Sequence, residues 1–358
     1  MSALHEIRKF GQQIWLDNLT RTLLAEGGLQ SLVADGVSGV TTNPAIFHKA
    51  IAGGRYYEDD LARLKSEPLT AESRYEALVI PDVQRACEIL APVWRASRGS
   101  AGYVSLEVSP ALAHDAAGTV AAGIRLHRAV GMANLLIKVP ATPAGLDAIS
   151  QLIATGISVN VTLMFSLAHV DAVAEAYLTG VRSLIRAGGD PSHVFSVASL
   201  FLSRVDSLVD KALEVKTEIG SQALKGKTAV ALARLAYQRY RQRFHGAAFE
   251  QLRAAGAQPQ FMLWASTGTK NPAYSDLLYV EPLIGPETVN TLPDGTLAAL
   301  IDHGEAADTL TLDVDAAEKQ FGDLAHAGID LTEVGESLQA DGLVQFSQSF
   351  DQLLALMA

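Results

Sequence analysis

Short apolar and β-branched runs recur along this chain, with helix-forming stretches between them. The runs fall at residues 13–17, 36–42, 102–108, 134–139, 157–163, 193–199, 260–265 and 277–281, and segments such as 116–129, 167–186 and 228–255 are rich in Ala, Leu and Arg. Repeated strand-then-helix alternation predicts parallel strands, because parallel neighbours need a long crossover. Eight such units predict a single α/β domain over residues 1–358, closed as a (β/α)8 barrel; an open doubly wound sheet is the alternative. Residues 47–97 have no strand signal and many helix formers, which predicts a helical insertion between strands two and three. Within it Arg55, Tyr56, Tyr57, Glu58 and Asp59 read as a solvated face. Residues 311–358 are helical in pattern, placed as C-terminal helices across the barrel or over its mouth.

One run breaks its own pattern. In Leu135-Leu136-Ile137-Lys138-Val139-Pro140 a lysine sits among residues that otherwise read as a buried strand. Ammonium groups are rarely buried unpaired, and a low-dielectric site favours the neutral amine, which attacks carbonyls. Lys138 is therefore a candidate Schiff-base nucleophile. The alternative is a lysine at a strand end whose head reaches solvent.

Other polar residues fall toward the C-terminal ends of the predicted strands, the end at which barrel enzymes place their sites. Asp17 ends the first run, Thr42 and Asn43 the second, Glu107 the third; Asn160 and Thr162 lie in the fifth, Ser199 ends the sixth and Ser266 follows the seventh. Each has a plain structural reading: Asn43 before Pro44 suits a turn, Thr162 suits a strand, and Asp17 suits a helix cap. Together they suit aldol cleavage through an iminium on Lys138, with Asp17 and Glu107 moving protons and Asn43, Asn160 and Thr162 supplying neutral hydrogen bonds to a polyhydroxylated substrate. A substrate phosphate wants cations at the rim, where Arg204, Ser266 and Lys270 follow strands six and seven. Both cations also read as ordinary surface charges.

Composition narrows the classes. With 358 residues, 49% hydrophobic and 19% charged, the chain can bury a large core. The net charge of −11 argues against a nucleic-acid or anionic-membrane partner. Cys87 is the single cysteine, which excludes an intrachain disulfide and fits a reducing, cytoplasmic setting. No apolar export segment and no long uncharged apolar run is evident. The nine histidines, His114, His127 and His193 among them, form no metal-ligand spacing, so no metal and no cofactor is expected.

The blocks Val40-Thr41-Thr42-Asn43-Pro44, Leu106-Glu107-Val108, Leu136-Ile137-Lys138-Val139-Pro140, Val159-Asn160-Val161-Thr162-Leu163-Met164-Phe165-Ser166 and Ala265-Ser266-Thr267-Gly268-Thr269-Lys270-Asn271-Pro272 resemble those of the transaldolase family, in that family's order. The resemblance implies a class I aldolase TIM barrel. It also implies metal-free transfer of a dihydroxyacetone unit from sedoheptulose 7-phosphate to glyceraldehyde 3-phosphate, giving erythrose 4-phosphate and fructose 6-phosphate, within the pentose phosphate pathway. It assigns the Schiff base to Lys138, proton transfer to Asp17 and Glu107, and a shared water to Thr162 and Glu107. Substrate binding falls to Asn43, Asn160, Ser199, Phe201, Arg204 and Ser266. Many members carry a second phosphate-binding arginine shortly after the seventh-strand serine; here Lys270 stands in that neighbourhood, as in a longer subgroup, and gives a point charge without a bidentate fork.

The nearest alternative is a fructose-6-phosphate aldolase-like enzyme that releases dihydroxyacetone. Those proteins are shorter and tend to carry glutamine and tyrosine where this chain has Glu107 and Phe201. A non-catalytic sugar-phosphate sensor is disfavoured by the presence of the lysine and both carboxylates. The expected partners are sugar phosphates; a homo-oligomer is compatible with the sequence.

Overall fold

A computed structural model describes residues 2–216 and 220–358. Eight parallel strands close in chain order: β1 Gln12–Leu16, β2 Gly39–Val40, β3 Tyr103–Glu107, β4 Leu135–Pro140, β5 Val159–Met164, β6 Ser196–Phe201, β7 Phe261–Ala265 and β8 Thr288–Leu292. β8 returns to β1 in unbroken register, from Gln12 opposite Thr288 to Leu16 opposite Leu292, so no open edge remains. Every residue of β4, β5 and β6 is buried, as expected of strands covered by helices on one side and barrel filling on the other.

Seven of the eight predicted strands form. The eighth is displaced: residues 277–281 run through a turn into the short 3-10 helix Glu281–Leu283, and the closing strand is Thr288–Leu292. Leu277, Tyr279 and Val280 are buried because the loop packs onto the barrel, so their apolar character reflects packing and not pairing. The true strand, Thr-Val-Asn-Thr-Leu, is polar on both faces: Thr291 points into the barrel mouth, while Asn290 Nδ2 donates to Tyr279 O of the preceding loop at 2.9 Å.

Gly39 lets β2 pack close against the Trp15 side chain of β1. A Cβ there would stand 2.5 Å from the fully buried Trp15 indole, so only glycine lets the ring cross the strand. The helical stretch predicted over residues 228–255 is two helices, Thr228–Phe244 and Ala247–Ala254, separated at His245-Gly246.

Three helices, Pro44–Ala52, Glu58–Lys65 and Ala71–Ala96, connect β2 to β3. The polar group expected to be solvated here is partly internal. Tyr57 is buried, its hydroxyl donates to Asp82 Oδ2 at 3.0 Å, and the Arg21 guanidinium lies 4.5 Å from its ring while pairing with Asp82 and Asp60. These contacts fasten the segment after β1 to the inserted helices. The chain ends in helices Val314–His326 and Leu331–Leu356, the second of which reaches the barrel mouth. Among the described residues no helix is long and apolar enough to cross a membrane.

Candidate active site

The register of three strands sets the innermost chemistry. Glu107 is opposite Lys138 across β3 and β4, and Lys138 is opposite Asn160 across β4 and β5, so all three side chains enter the barrel at one level. Lys138 is only 5% exposed, which removes the solvent-reaching alternative. Its Nζ donates to Thr42 O at 3.0 Å and lies 3.5 Å from Glu107 Oε2. Thr42 is held in turn by its own hydroxyl, which donates to Ser105 O.

A cavity at the C-terminal mouth is walled by Asp17, Thr41, Asn43, Lys138, Thr162, Ser199, Phe201, Arg204, Ser266, Thr291 and Phe346, together with Leu263 and Ala265. Asp17 enters it because its backbone N–H bonds Leu292 O at 2.8 Å, continuing the β1–β8 ladder by one residue. Asn43 is an N-cap: its Oδ1 accepts from Ile46 N at 3.0 Å, and Pro44 begins the helix. The structural and site readings of Asn43 therefore coexist.

Burial dominates the electrostatics. It raises the Glu107 carboxyl to about 7, against the opposing pull of the Lys138 ammonium. Asp17 is also raised by burial, with Lys138 and Lys270 pulling it down and Asp294 adding to the rise. Glu107 thus titrates where a group that both gives and takes protons is most effective.

Four buried polar atoms at the site make no hydrogen bond among the described residues: Thr162 Oγ1, Arg204 Nη1, Thr291 Oγ1 and Glu107 Oε2, the last having only its ion pair with Lys138. Unmatched buried groups are uncommon and mark places meant for water or ligand. Thr162 owes its position to a bulge. Val161 is opposite Ala198 and Met164 is opposite Leu200, so Thr162 and Leu163 together face Ser199. Leu163 takes φ 59° to permit this, a left-handed backbone unfavourable for a non-glycine residue.

Arg204 forms the cationic side of the mouth. It opens the helix Ser203–Glu214, stacks its guanidinium 5.5 Å from the Phe201 ring, and has no carboxylate partner among the described residues. Its half-buried charge is pressed downward in pKa by desolvation alone. Ser266, at φ 54°, shares a hydroxyl contact of 2.9 Å with Ser203, fastening the segment after β7 to the Arg204 helix. Lys270 is exposed and outside the cavity wall, acting on the site through its field at Asp17.

Asn160 lies a layer below the cavity and not in its wall. Its Nδ2 donates to Ser105 Oγ at 2.9 Å and its Oδ1 accepts from Ser199 Oγ at 2.7 Å, so its amide orients Ser199. Sequence reasoning missed Thr41, Thr291, Ser203 and Phe346. Thr41 sits inside a recognised block, and Thr291 lies on the misplaced eighth strand. Phe346 comes from the far end of the chain with no local signal.

The model of the transaldolase/fructose-6-phosphate aldolase family matches residues 14–357. A protein named transaldolase from Thiobacillus denitrificans is 53% identical over 356 residues, covering 99% of each chain. One from Neisseria gonorrhoeae is 48% identical over 355 residues, again covering 99% of each. A third, named transaldolase 2, from Nostoc punctiforme is 42% identical, covering 99% of this chain and 97% of its own. With the barrel and the buried lysine in place, a match of this extent shows that the chain belongs to the transaldolase/fructose-6-phosphate aldolase family.

Proposed function

We propose that the protein is a transaldolase that moves a dihydroxyacetone unit from a ketose phosphate, sedoheptulose 7-phosphate or fructose 6-phosphate, to an aldose phosphate through a Schiff base on Lys138. The observation that carries this reading is the buried pair of Lys138 Nζ and Glu107 Oε2, 3.5 Å apart, with the lysine lining the cavity beside Asp17 and the glutamate behind it. Lys138 Nζ adds to the ketose carbonyl, and loss of water gives a protonated carbon–nitrogen double bond that takes up the electrons of the bond between the next two carbons, leaving a three-carbon enamine on nitrogen. The Thr162 hydroxyl has no hydrogen-bond partner, and Glu107 Oε2 has only its ion pair with Lys138, so the two are suited to hold one water through which Glu107 donates and recovers the protons of these steps. Asp17 takes the proton of the hydroxyl whose carbon is leaving as aldehyde. Asn43 and Ser199 face the three-carbon unit. Arg204, without a counterion, receives the phosphate, with Ser266 beside it and Lys270 adding a longer-range field.

Glu107 and Phe201 favour transfer over simple cleavage, since the family's aldolases tend to carry other residues there. The test is release of glyceraldehyde 3-phosphate from fructose 6-phosphate, in chelator, with and without erythrose 4-phosphate. Sustained release only with the acceptor is expected. Equal sustained release without it would assign the protein to the aldolase branch, and none in either case would remove the catalytic reading.

A further inference from the structure

Phe346 stands on the C-terminal helix, yet its ring centre lies 5.8 Å from Lys138 Nζ, within the cavity wall, and the residue is 9% exposed. The helix carrying it is bound to the barrel rim by specific contacts. Gln339 Nε2 donates to Ala141 O at 3.1 Å and Leu163 O at 3.0 Å, at the C-terminal ends of β4 and β5. Glu336 Oε1 meets His169 Nε2 at 3.0 Å. Gly342 brings the helix backbone against the Leu163 side chain, where a Cβ would stand 2.9 Å from Leu163 Cδ2. The bulge that aims Thr162 into the cavity also turns the Leu163 carbonyl toward Gln339. One strained segment therefore serves both the catalytic hydroxyl and the anchoring of Phe346.

We infer that Phe346 is a specificity-determining residue that keeps bulk water from the three-carbon enamine held on Lys138, so that the unit is passed to an aldehyde instead of being lost. This rests on the Schiff-base reading above. After cleavage the unit is an enamine bonded to Nζ. In transfer, the enamine carbon bonds to the acceptor's aldehyde carbon, the aldehyde oxygen takes a proton, and the carbon–nitrogen double bond re-forms. In loss, the enamine carbon first takes a proton from solvent. One water then adds its oxygen to the iminium carbon, the carbon–nitrogen bond breaks with its electrons going to nitrogen, and dihydroxyacetone and the free amine result. Protonation at carbon separates the two fates. On the side of Lys138 that it covers, an apolar ring offers no proton and no polar partner for a water that carries one. The proposed function assigns the water of ordinary product release to another place, at the free Thr162 hydroxyl and Glu107.

The experiment compares Phe346→Leu with Phe346→Asn, side chains of the same branched shape and opposite polarity, and adds Phe346→Ala, which opens more space. Each is given fructose 6-phosphate alone, and dihydroxyacetone release is measured against transfer to erythrose 4-phosphate and against the borohydride-trapped adduct. Phe346→Leu should keep the wild-type ratio of release to transfer, while Phe346→Asn and Phe346→Ala should raise it about tenfold with the trapped adduct still forming. A general loss of structure lowers both rates and leaves their ratio alone. Equal ratios in all folded variants, with wild-type transfer intact, would overturn this inference only; no trapped adduct in wild type would overturn the proposed function itself.

Discussion

Glu107 and Lys138 face each other across adjacent parallel strands, 3.5 Å apart at their charged ends, and both side chains are 6% exposed. Two groups that water would solvate well are thus held in a dry site where each is the other's main electrostatic partner. Burial still outweighs that attraction for the carboxyl, which is raised to about 7. A carboxyl so placed holds its proton about half the time near pH 7 and is available both to give and to take one.

The pH dependence follows from that direction. If Glu107 supplies the proton for dehydration to the iminium, single-turnover formation should decline above about pH 7. Glu107→Gln should slow formation and remove that limb. A limb unchanged in the variant would take Glu107 out of the role. For stability the sign is opposite to that of an ordinary ion-paired carboxylate. Glu107 binds its proton more tightly folded than at its ordinary value of 4.5, so its contribution is complete below that value and is lost as pH rises through about 7. Thermal unfolding of wild type across this window should show the decline.

Thr162 separates function from stability. Its buried hydroxyl has no partner, so Thr162→Val removes an unsatisfied group at little change in shape. Stability should be unchanged or higher, while kcat falls about tenfold or more with little change in KM. A variant with wild-type kcat would return Thr162 to strand packing.

Arg204 and Lys270 should differ in weight. Arg204 is half-buried without a counterion, whereas Lys270 is exposed. Arg204→Ala should raise KM for phosphorylated sugars by about tenfold to a hundredfold, and Lys270→Ala by less than about fivefold, screened further by salt. Equal effects of the two would place Lys270 on the phosphate directly.

Gly39→Ala tests the packing of β1 against β2. The added methyl meets the enclosed Trp15 ring, and a loss of about 1–3 kcal/mol in stability is expected from such overpacking. Unfolding at the wild-type temperature would show that the ring shifts freely.

What was legible in the sequence was what local pattern carries. Lys138 stood out because a charge interrupts an apolar run, and Asp17, Asn43, Glu107 and Ser199 were found because all end strands on one rim. The eighth strand escapes a search for apolar runs because it is polar on both faces: Thr291 lines the cavity, while Thr288 and Asn290 bond the preceding loop at Gly285 O and Tyr279 O. Asn160 was found at the right level, yet its hydrogen bonds go to Ser105 and Ser199, a pairing that depends on strand register. Phe346 was invisible for a different reason: an aromatic on an amphipathic helix reads as core, and only the anchoring of Gln339 at the rim brings it to the lysine.

The central claim is the covalent bond to Lys138. Incubation with fructose 6-phosphate, reduction with borohydride and mapping of the modified peptide test it most directly. The account predicts a reduced three-carbon adduct on Lys138, absent from a folded Lys138→Ala protein that has also lost transfer by a factor of about a thousand or more. An adduct on another lysine, or transfer retained by Lys138→Ala, would contradict it.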